Sequence, residues 1–193
     1  MKEEITDTSP SDAELLGRYA QGEVGCLDQL VERYRRQLFT WFVGMTGSRS
    51  DAEDLFQDLW IRVIRNADRF KDVSFRAWMW QIARNLLIDF RRKKKCDISL
   101  DEVSDEEDHP LLETLVAKGP TPQQGVERTD LALKAMQAVG QLPAVQREVF
   151  LMRVEGDLPF QEIAKILKVP LNTALGRMHD ATTRLKQMLK EMR

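Results

Sequence analysis

The stretch FRAWMWQIARNLLIDFRRKKK, Phe75 to Lys95, holds two tryptophans and ends in five consecutive cations, Arg91 to Lys95. Projected at about 100° per residue it separates into two arcs. Phe75, Trp78, Met79, Ile82, Leu86 and Phe90 share one arc, the expected core face. Trp80, Arg84, Leu87 and Arg91 share the opposite arc. An outward indole beside guanidinium groups, running on into Arg92, Lys93 and Lys94, has the chemistry to stack on bases and hold phosphates. Cations also suit the C-terminal turn of any solvated helix, and Trp80 could pack on a neighbouring helix. The conjunction of an outward Trp with aligned Arg favours nucleic acid.

The rest of the chain must position that helix. Its 193 residues allow one domain or two small ones. With 31% charged and 7% aromatic residues it reads as all-α. The net charge is only −2, so a basic surface must come from the distribution of charge. The N-terminal stretch MKEEITDTSPSDAELL lacks the apolar core of a signal peptide. No apolar run approaches the roughly 20 residues of a membrane-spanning helix, so no membrane insertion is expected. Cys26 and Cys96 stand far apart, consistent with free thiols in a reducing, cytoplasmic setting. His109 and His179 lie in different segments, and phosphate-binding glycine loops are absent. No catalytic group, cofactor or metal is therefore expected.

Residues 1–11 read as a disordered tail. Ser11 with Glu14 forms a capping box for a first helix from Asp12 to about Gln21. Leu27, Leu30, Val31, Tyr34, Leu38, Trp41 and Phe42 then mark an amphipathic helix, which Gly44 to Gly47 is expected to break. In SDAEDLFQDLWIRVIRN, Ser50 with Glu53 reads as a second capping box. Leu55, Phe56, Leu59, Val63 and Ile64 make its apolar stripe. Its acidic first turn suits either helix capping or a partner surface.

Residues 12–95 thus form a first helical domain. Residues 96–126 read as an acidic, proline-containing linker, with eight acidic residues and no Lys or Arg between Asp97 and Glu113. Leu111 to Val116 could add a helical turn within it. Residues 127–193 form a second domain. Leu131, Leu133, Met136 and Val139 mark one helix, and Leu142-Pro143 opens another carrying Val145, Val149, Phe150 and Met152. Pro159 suits the start of a short helix through Phe160, Ile163, Ala164 and Leu167. A tight turn at Lys168 to Pro170 leads to a long helix with Ala174, Met178, Ala181, Leu185 and Leu189 inward. This is the helix-turn-helix pattern.

Taken together, these blocks resemble the bacterial RNA polymerase sigma factors of the extracytoplasmic-function (ECF) class. YRRQLFTWF, DAEDLFQDLWIRVIRN and FRAWMWQIARNLLIDFRRKKK look like their region two. LPAVQREVFLMRVEGDLPFQEIAKILKVPLNTALGRMH looks like their region four. The resemblance implies that Asp54, Gln57, Asp58 and Trp60 dock on core RNA polymerase. It implies that Arg76, Trp80, Arg84, Arg91, Arg92, Lys93 and Lys94 hold promoter DNA at the minus-ten element. It places Asn172, Thr173, Leu175, Arg177 and Arg184 at the minus-thirty-five element. Leu175 stands where relatives commonly carry lysine and Gly176 where they carry serine, so Leu175 would touch thymine methyls or a protein such as an anti-sigma factor. Lys168 replaces a turn glycine, at a cost of about 1 kcal/mol if that position needs positive φ.

The alternative is a helix-turn-helix regulator acting without polymerase, which would bind its site tightly alone. A sigma-like adaptor would bind polymerase independently of Trp80 and Arg84. The acidic linker is also expected to compete for the basic face. Deleting Asp101 to Asp108 should then raise DNA affinity at low salt.

Overall fold

The computed structural model describes residues 9–70, 74–98 and 134–191, with the side chains of the basic helix followed as far as Lys95. Every regular element among them is helical. In the first half these are α1 (Asp12–Ala20), α2 (Gly25–Thr46), α3 (Arg49–Arg65), a 3₁₀ turn (Ala67–Arg69) and α4 (Phe75–Ile98). In the second half they are α5 (134–140), α6 (Ala144–Val154), α7 (Phe160–Leu167) and α8 (Leu171–Glu191). The expected linker begins later than 96, since residues 96–98 continue α4; its residues 99–126, the 111–116 turn, Leu131 and Leu133 lie outside the described residues, as do residues 1–8 of the tail.

Local sequence explains most of the helix ends. The Ser11 hydroxyl accepts from the Glu14 amide, while the Glu14 carboxylate accepts from the Ser11 amide at 2.7 Å. That is a reciprocal capping box, worth on the order of 1 kcal/mol. Helix α1 is held on α2 by Asp12, which accepts from both Arg33 and the Tyr34 hydroxyl. Burial, reinforced by Asp12, raises the pKa of the Tyr34 hydroxyl, which therefore stays protonated as the donor.

Two expected boundaries move. Helix α3 is capped by Ser48 rather than Ser50: the Ser48 hydroxyl accepts from the Asp51 amide at 3.2 Å. Ser50 is consequently inside the first turn, and Glu53 pairs with Arg49 at 2.8 Å. Nor does Gly44 break α2, which continues to Thr46 and ends at Gly47 in the left-handed conformation, φ 71°. Glycine in a helix interior costs about 1 kcal/mol relative to alanine. Its reason here is space: a Cβ at Gly44 would lie 2.5 Å from the Leu151 Cδ1 atom of α6.

That close approach joins the halves. One continuous apolar cluster runs from Leu15, Leu30, Trp41 and Leu59 through Met79 and Trp80 to Leu151, Met152, Leu158 and Ile163. A smaller cluster, Ala138, Leu142, Ala181 and Leu185, holds α5 and α8 together. In the helix-turn-helix, Ala164 and Ala174 are both buried where α7 meets α8. The turn between them passes through Lys168 at φ 55°, ψ 46°, the positive-φ conformation that a glycine would adopt without steric cost.

Four burial assignments reverse. Trp80 is not outward; it is fully buried. Its ring stands edge-on to Trp41, centroids 5.4 Å apart, and its far side faces the turn after α6, where a Cβ on Gly156 would lie 2.6 Å from Trp80 Cζ2. Trp60 is likewise buried, edge-on to Phe56 at 6.2 Å, in the core of the first half. Ile64, expected inward, is 39% exposed, because α3 turns that side to solvent along with Ile61. Leu87, on the supposed outer arc, is also buried. Helix α4 is thus covered on two faces. It packs against α1, α2, α3 and α7, and α6 reaches it through Glu148.

Candidate nucleic-acid interface

The basic residues of α4 divide by position along the helix. Near its start Arg76 donates to the Asp157 carbonyl at 3.2 Å, in the second half of the chain. Two turns on, the Arg84 Nε donates to Glu148 Oε1 of α6 at 3.2 Å, with side chains 18% and 11% exposed. Arg91 turns back to the Met45 carbonyl of α2 at 3.1 Å. Only beyond this are the basic residues of the helix exposed. Arg92, Lys93, Lys94 and Lys95 are exposed. Arg92 pairs with Asp89 at 3.3 Å, Asp89 also pairs with Arg62, and the Lys94 ammonium lies 5.9 Å over the Phe90 ring.

Glu148 is central to the covered part. Burial pushes its carboxyl above the usual value, outweighing the opposing pull of Arg84, Arg91 and Arg177. The residue is 8% exposed where α6 meets α4, so burial is the stronger influence on it. Arg147, one residue earlier on α6, donates to the carbonyls of Gly140 and Leu142 in its own half. It also reaches the Gly44 carbonyl across the boundary at 3.3 Å. The Trp80 indole N–H has no acceptor among the described residues. A buried unsatisfied donor of this kind costs about 1–3 kcal/mol.

A second surface lies on α3. Asp54, Gln57 and Asp58 are exposed and repeat at three and four residues, which aligns them along one face. Ile61 continues the stripe and is 43% exposed. Sequence reasoning passed over Ile61, although its spacing from Gln57 and Asp58 was the available signal. Trp60 does not belong to this surface, since it points into the core. A third surface is the start of α8, where Asn172, Thr173 and Leu175 are exposed and Leu175 stands 42% accessible beside Leu171 at 38%. Arg184 is exposed further along the helix, while Arg177 is half-buried on the side facing Glu148. Among the described residues there is no cluster of three or more His, Cys, Asp or Glu able to hold a metal, and no helix long and apolar enough to cross a membrane.

Comparison with known proteins adds to this geometry. Sigma-70 region 2 matches residues 30–96, and Sigma-70 region 4 matches residues 132–185. The ECF RNA polymerase sigma factor SigW of Bacillus subtilis (strain 168) is 31% identical over 175 residues, covering 89% of this chain and 93% of that protein. RNA polymerase sigma factor NccH of Alcaligenes xylosoxydans xylosoxydans is 30% identical over 188 residues, covering 96% and 98%. Among solved structures, CnrH in complex with the cytosolic domain of CnrY superposes with a TM-score of 0.64 at 22% identity, over 94% of this chain and 99% of that one. The sigma factor RpoE in complex with the anti-sigma factor NepR from Bartonella quintana gives 0.68 at 23%, over 86% and 98%. At these identities the structural likeness shows the shared fold.

Proposed function

This chain belongs to the ECF class of RNA polymerase sigma factors; it binds core RNA polymerase and directs it to promoters, and from that premise we propose which of its surfaces does each task. The exposed stripe of α3, Asp54, Gln57 and Asp58 together with Ile61, docks on polymerase. Its carboxylates steer toward a basic partner surface and the isoleucine supplies apolar area. The exposed start of α8 enters the major groove at the minus-thirty-five element. There Asn172 has the amide geometry to pair with adenine, and Leu175 and the Thr173 methyl suit thymine. Arg177 and Arg184 hold phosphates on either side.

Helix α4 serves the minus-ten element in two parts. Arg92, Lys93 and Lys94 are available to phosphates as the chain stands. Arg76, Trp80 and Arg84 become available only when the second half leaves the first, and Arg91 only when it also leaves the Met45 carbonyl of α2. Stacking on an aromatic ring returns about 1–3 kcal/mol per base, comparable to the few kcal/mol of unstacking it. The factor therefore stabilises a short melted segment and depends on polymerase to open it. The division by which residues 12–95 and 127–193 act as separate domains joined by the 96–126 linker belongs to the same proposal. So does action in the cytoplasm, as an initiation factor without chemistry of its own. CnrH and RpoE were each solved with a bound partner, and an anti-sigma factor is the further partner proposed here.

The observation that supports this reading most is the simultaneous exposure of the α3 stripe and of the α8 start, two surfaces on different halves of one chain. The test is transcription in vitro by core polymerase on a promoter library, with and without the chain. Selective initiation that needs the chain supports the reading. Initiation no better than core enzyme alone, together with tight specific binding of DNA by the isolated chain, would replace it with a polymerase-independent regulator.

A further inference from the structure

We propose that the outward strip of α8 selects its promoter sequence at close range through methyl groups: Leu175 packs on thymine 5-methyls, and Gly176 is bare so that the helix backbone can come up against the base edges. The proposal rests on the reading of α8 as the helix that enters the major groove, and it names the contacts that set the sequence read there. At about 100° per residue, Asn172, Leu175, Gly176, His179 and Thr183 fall on the side turned away from the buried Ala174, Ala181 and Leu185, and all five are exposed. No Lys, Arg, Asp or Glu stands on this strip. The exposed charges border it: Lys165 and Lys168 lie ahead, at the end of α7 and in the turn, while Asp180 and Arg184 lie on one flank. Bordering cations can hold phosphates, but the strip itself must read with an amide, an imidazole, a hydroxyl and hydrocarbon. Leu175, 42% exposed, is its large apolar group, and the apolar group that the major groove offers is the thymine 5-methyl.

Gly176 is the second observation. It is the sixth of the 21 residues of α8, inside a helix, where only proline is a worse choice. At Gly44 the missing side chain makes room for Leu151, whereas a Cβ at Gly176 would meet nothing within 4 Å among the described residues. Gly17 is equally open, but it lies in the last turn of α1. Packing within the chain therefore gives no reason for Gly176; a partner that approaches the backbone closely does. A protein partner would also accept Leu175. Asn172, Thr173 and His179 around it carry the hydrogen-bonding groups that base edges require, and cations lie beyond both ends, which favours DNA.

The experiment uses holoenzyme reconstituted from core polymerase and the full chain, on a promoter that the unaltered holoenzyme selects from the library. The quantity read is its preference for that promoter over the same template with the minus-thirty-five block replaced. Deoxyuridine for thymidine in both strands of the block removes only 5-methyls. It should lower the preference about fourfold for each methyl that Leu175 covers, the worth of one buried methyl-sized group. Leu175→Ala should make the holoenzyme indifferent to that replacement. Gly176→Ala should raise the urea midpoint of the chain, because alanine is the better helix former and has room. It should nevertheless lower the preference about tenfold, the scale of one mismatched base pair. Full preference in Gly176→Ala, or a lower urea midpoint, would overturn the role of the glycine. An unaltered holoenzyme blind to deoxyuridine would overturn that of Leu175. Both variants keeping the parent's preference would leave the strip to a protein partner. An unaltered holoenzyme with no preference for the block at the outset would remove α8 as its reader, and the proposal with it.

Discussion

Helices α3 and α4 lie side by side in one domain, and both show an apolar arc with a charged arc opposite. Their fates differ. The charged arc of α3 faces solvent, with Asp54, Gln57 and Asp58 exposed and Ile61 among them. On the corresponding arc of α4, Trp80 and Leu87 are buried and Arg84 pairs with the buried Glu148 of α6. A helix with tryptophan and leucine interleaved among arginines thus has two candidate partners for that face, nucleic acid or another part of the chain. In this protein the second has it in the free state.

The contrast between the two helices is most exposed to refutation at Trp80. Trp80→Ala empties a fully buried site and should destabilise the chain by about 3–5 kcal/mol in urea unfolding. A loss below about 1 kcal/mol, the range of surface substitutions, would mean that Trp80 is exposed in solution after all. Next, Asp58→Arg should leave unfolding within about 0.5 kcal/mol of the parent, as for other exposed positions. It should nevertheless weaken binding to core polymerase at least tenfold by fluorescence titration, about 1.4 kcal/mol. Equal binding would remove α3 from the polymerase-docking surface.

A smaller effect probes the emergent tip of α4. Neutralising Lys93 and Lys94 should reduce the slope of log affinity against log salt by about 0.7 to 0.9 for each phosphate left without its cation. The same change at Lys186 and Lys190, exposed near the far end of α8, should leave the slope as it was. In the helix-turn-helix, Lys168→Gly relieves a positive φ and should raise stability by about 1 kcal/mol or less, since the freer unfolded chain offsets part of the gain. Urea unfolding of the variant measures the difference.

The least of these effects is a pH dependence of the covered state. Burial holds the Glu148 carboxyl above its usual value, and Arg84, Arg91 and Arg177 face it with opposing charge. The covered form therefore binds this proton more tightly than the open one. As pH falls from neutral, coverage should strengthen, and the gain should be complete below the ordinary glutamate value of about 4.3. Scattering measured against pH should show the trend in the parent and lose it in Glu148→Gln.

Much of this was legible beforehand because it is local. The Ser11 capping box, the helices flanking the Lys168 turn and the left-handed turn itself follow from residues close together in the chain. Asp54, Gln57 and Asp58 were legible for the same reason, since their exposure follows from the phase of one helix. Ser48, by contrast, competed with Ser50 two residues away, and only the accepted amide of Asp51 decides between them. Trp60 was misplaced because the resemblance placed it with Asp58, two positions away, whereas the phase of the helix turns its ring into the core.

The order of residues alone was enough to set most of the helices, the family and the two surfaces that no other described segment covers. It did not say which face of α4 is closed; that came from the way the two halves pack. Helical periodicity relates residues three and four apart, whereas the cover arrives through partners 64 and 81 positions away, Glu148 on Arg84 and the Asp157 carbonyl on Arg76. Gly44 was its trace in the sequence. A missing side chain acquires meaning only when the side chain that fills its place is known.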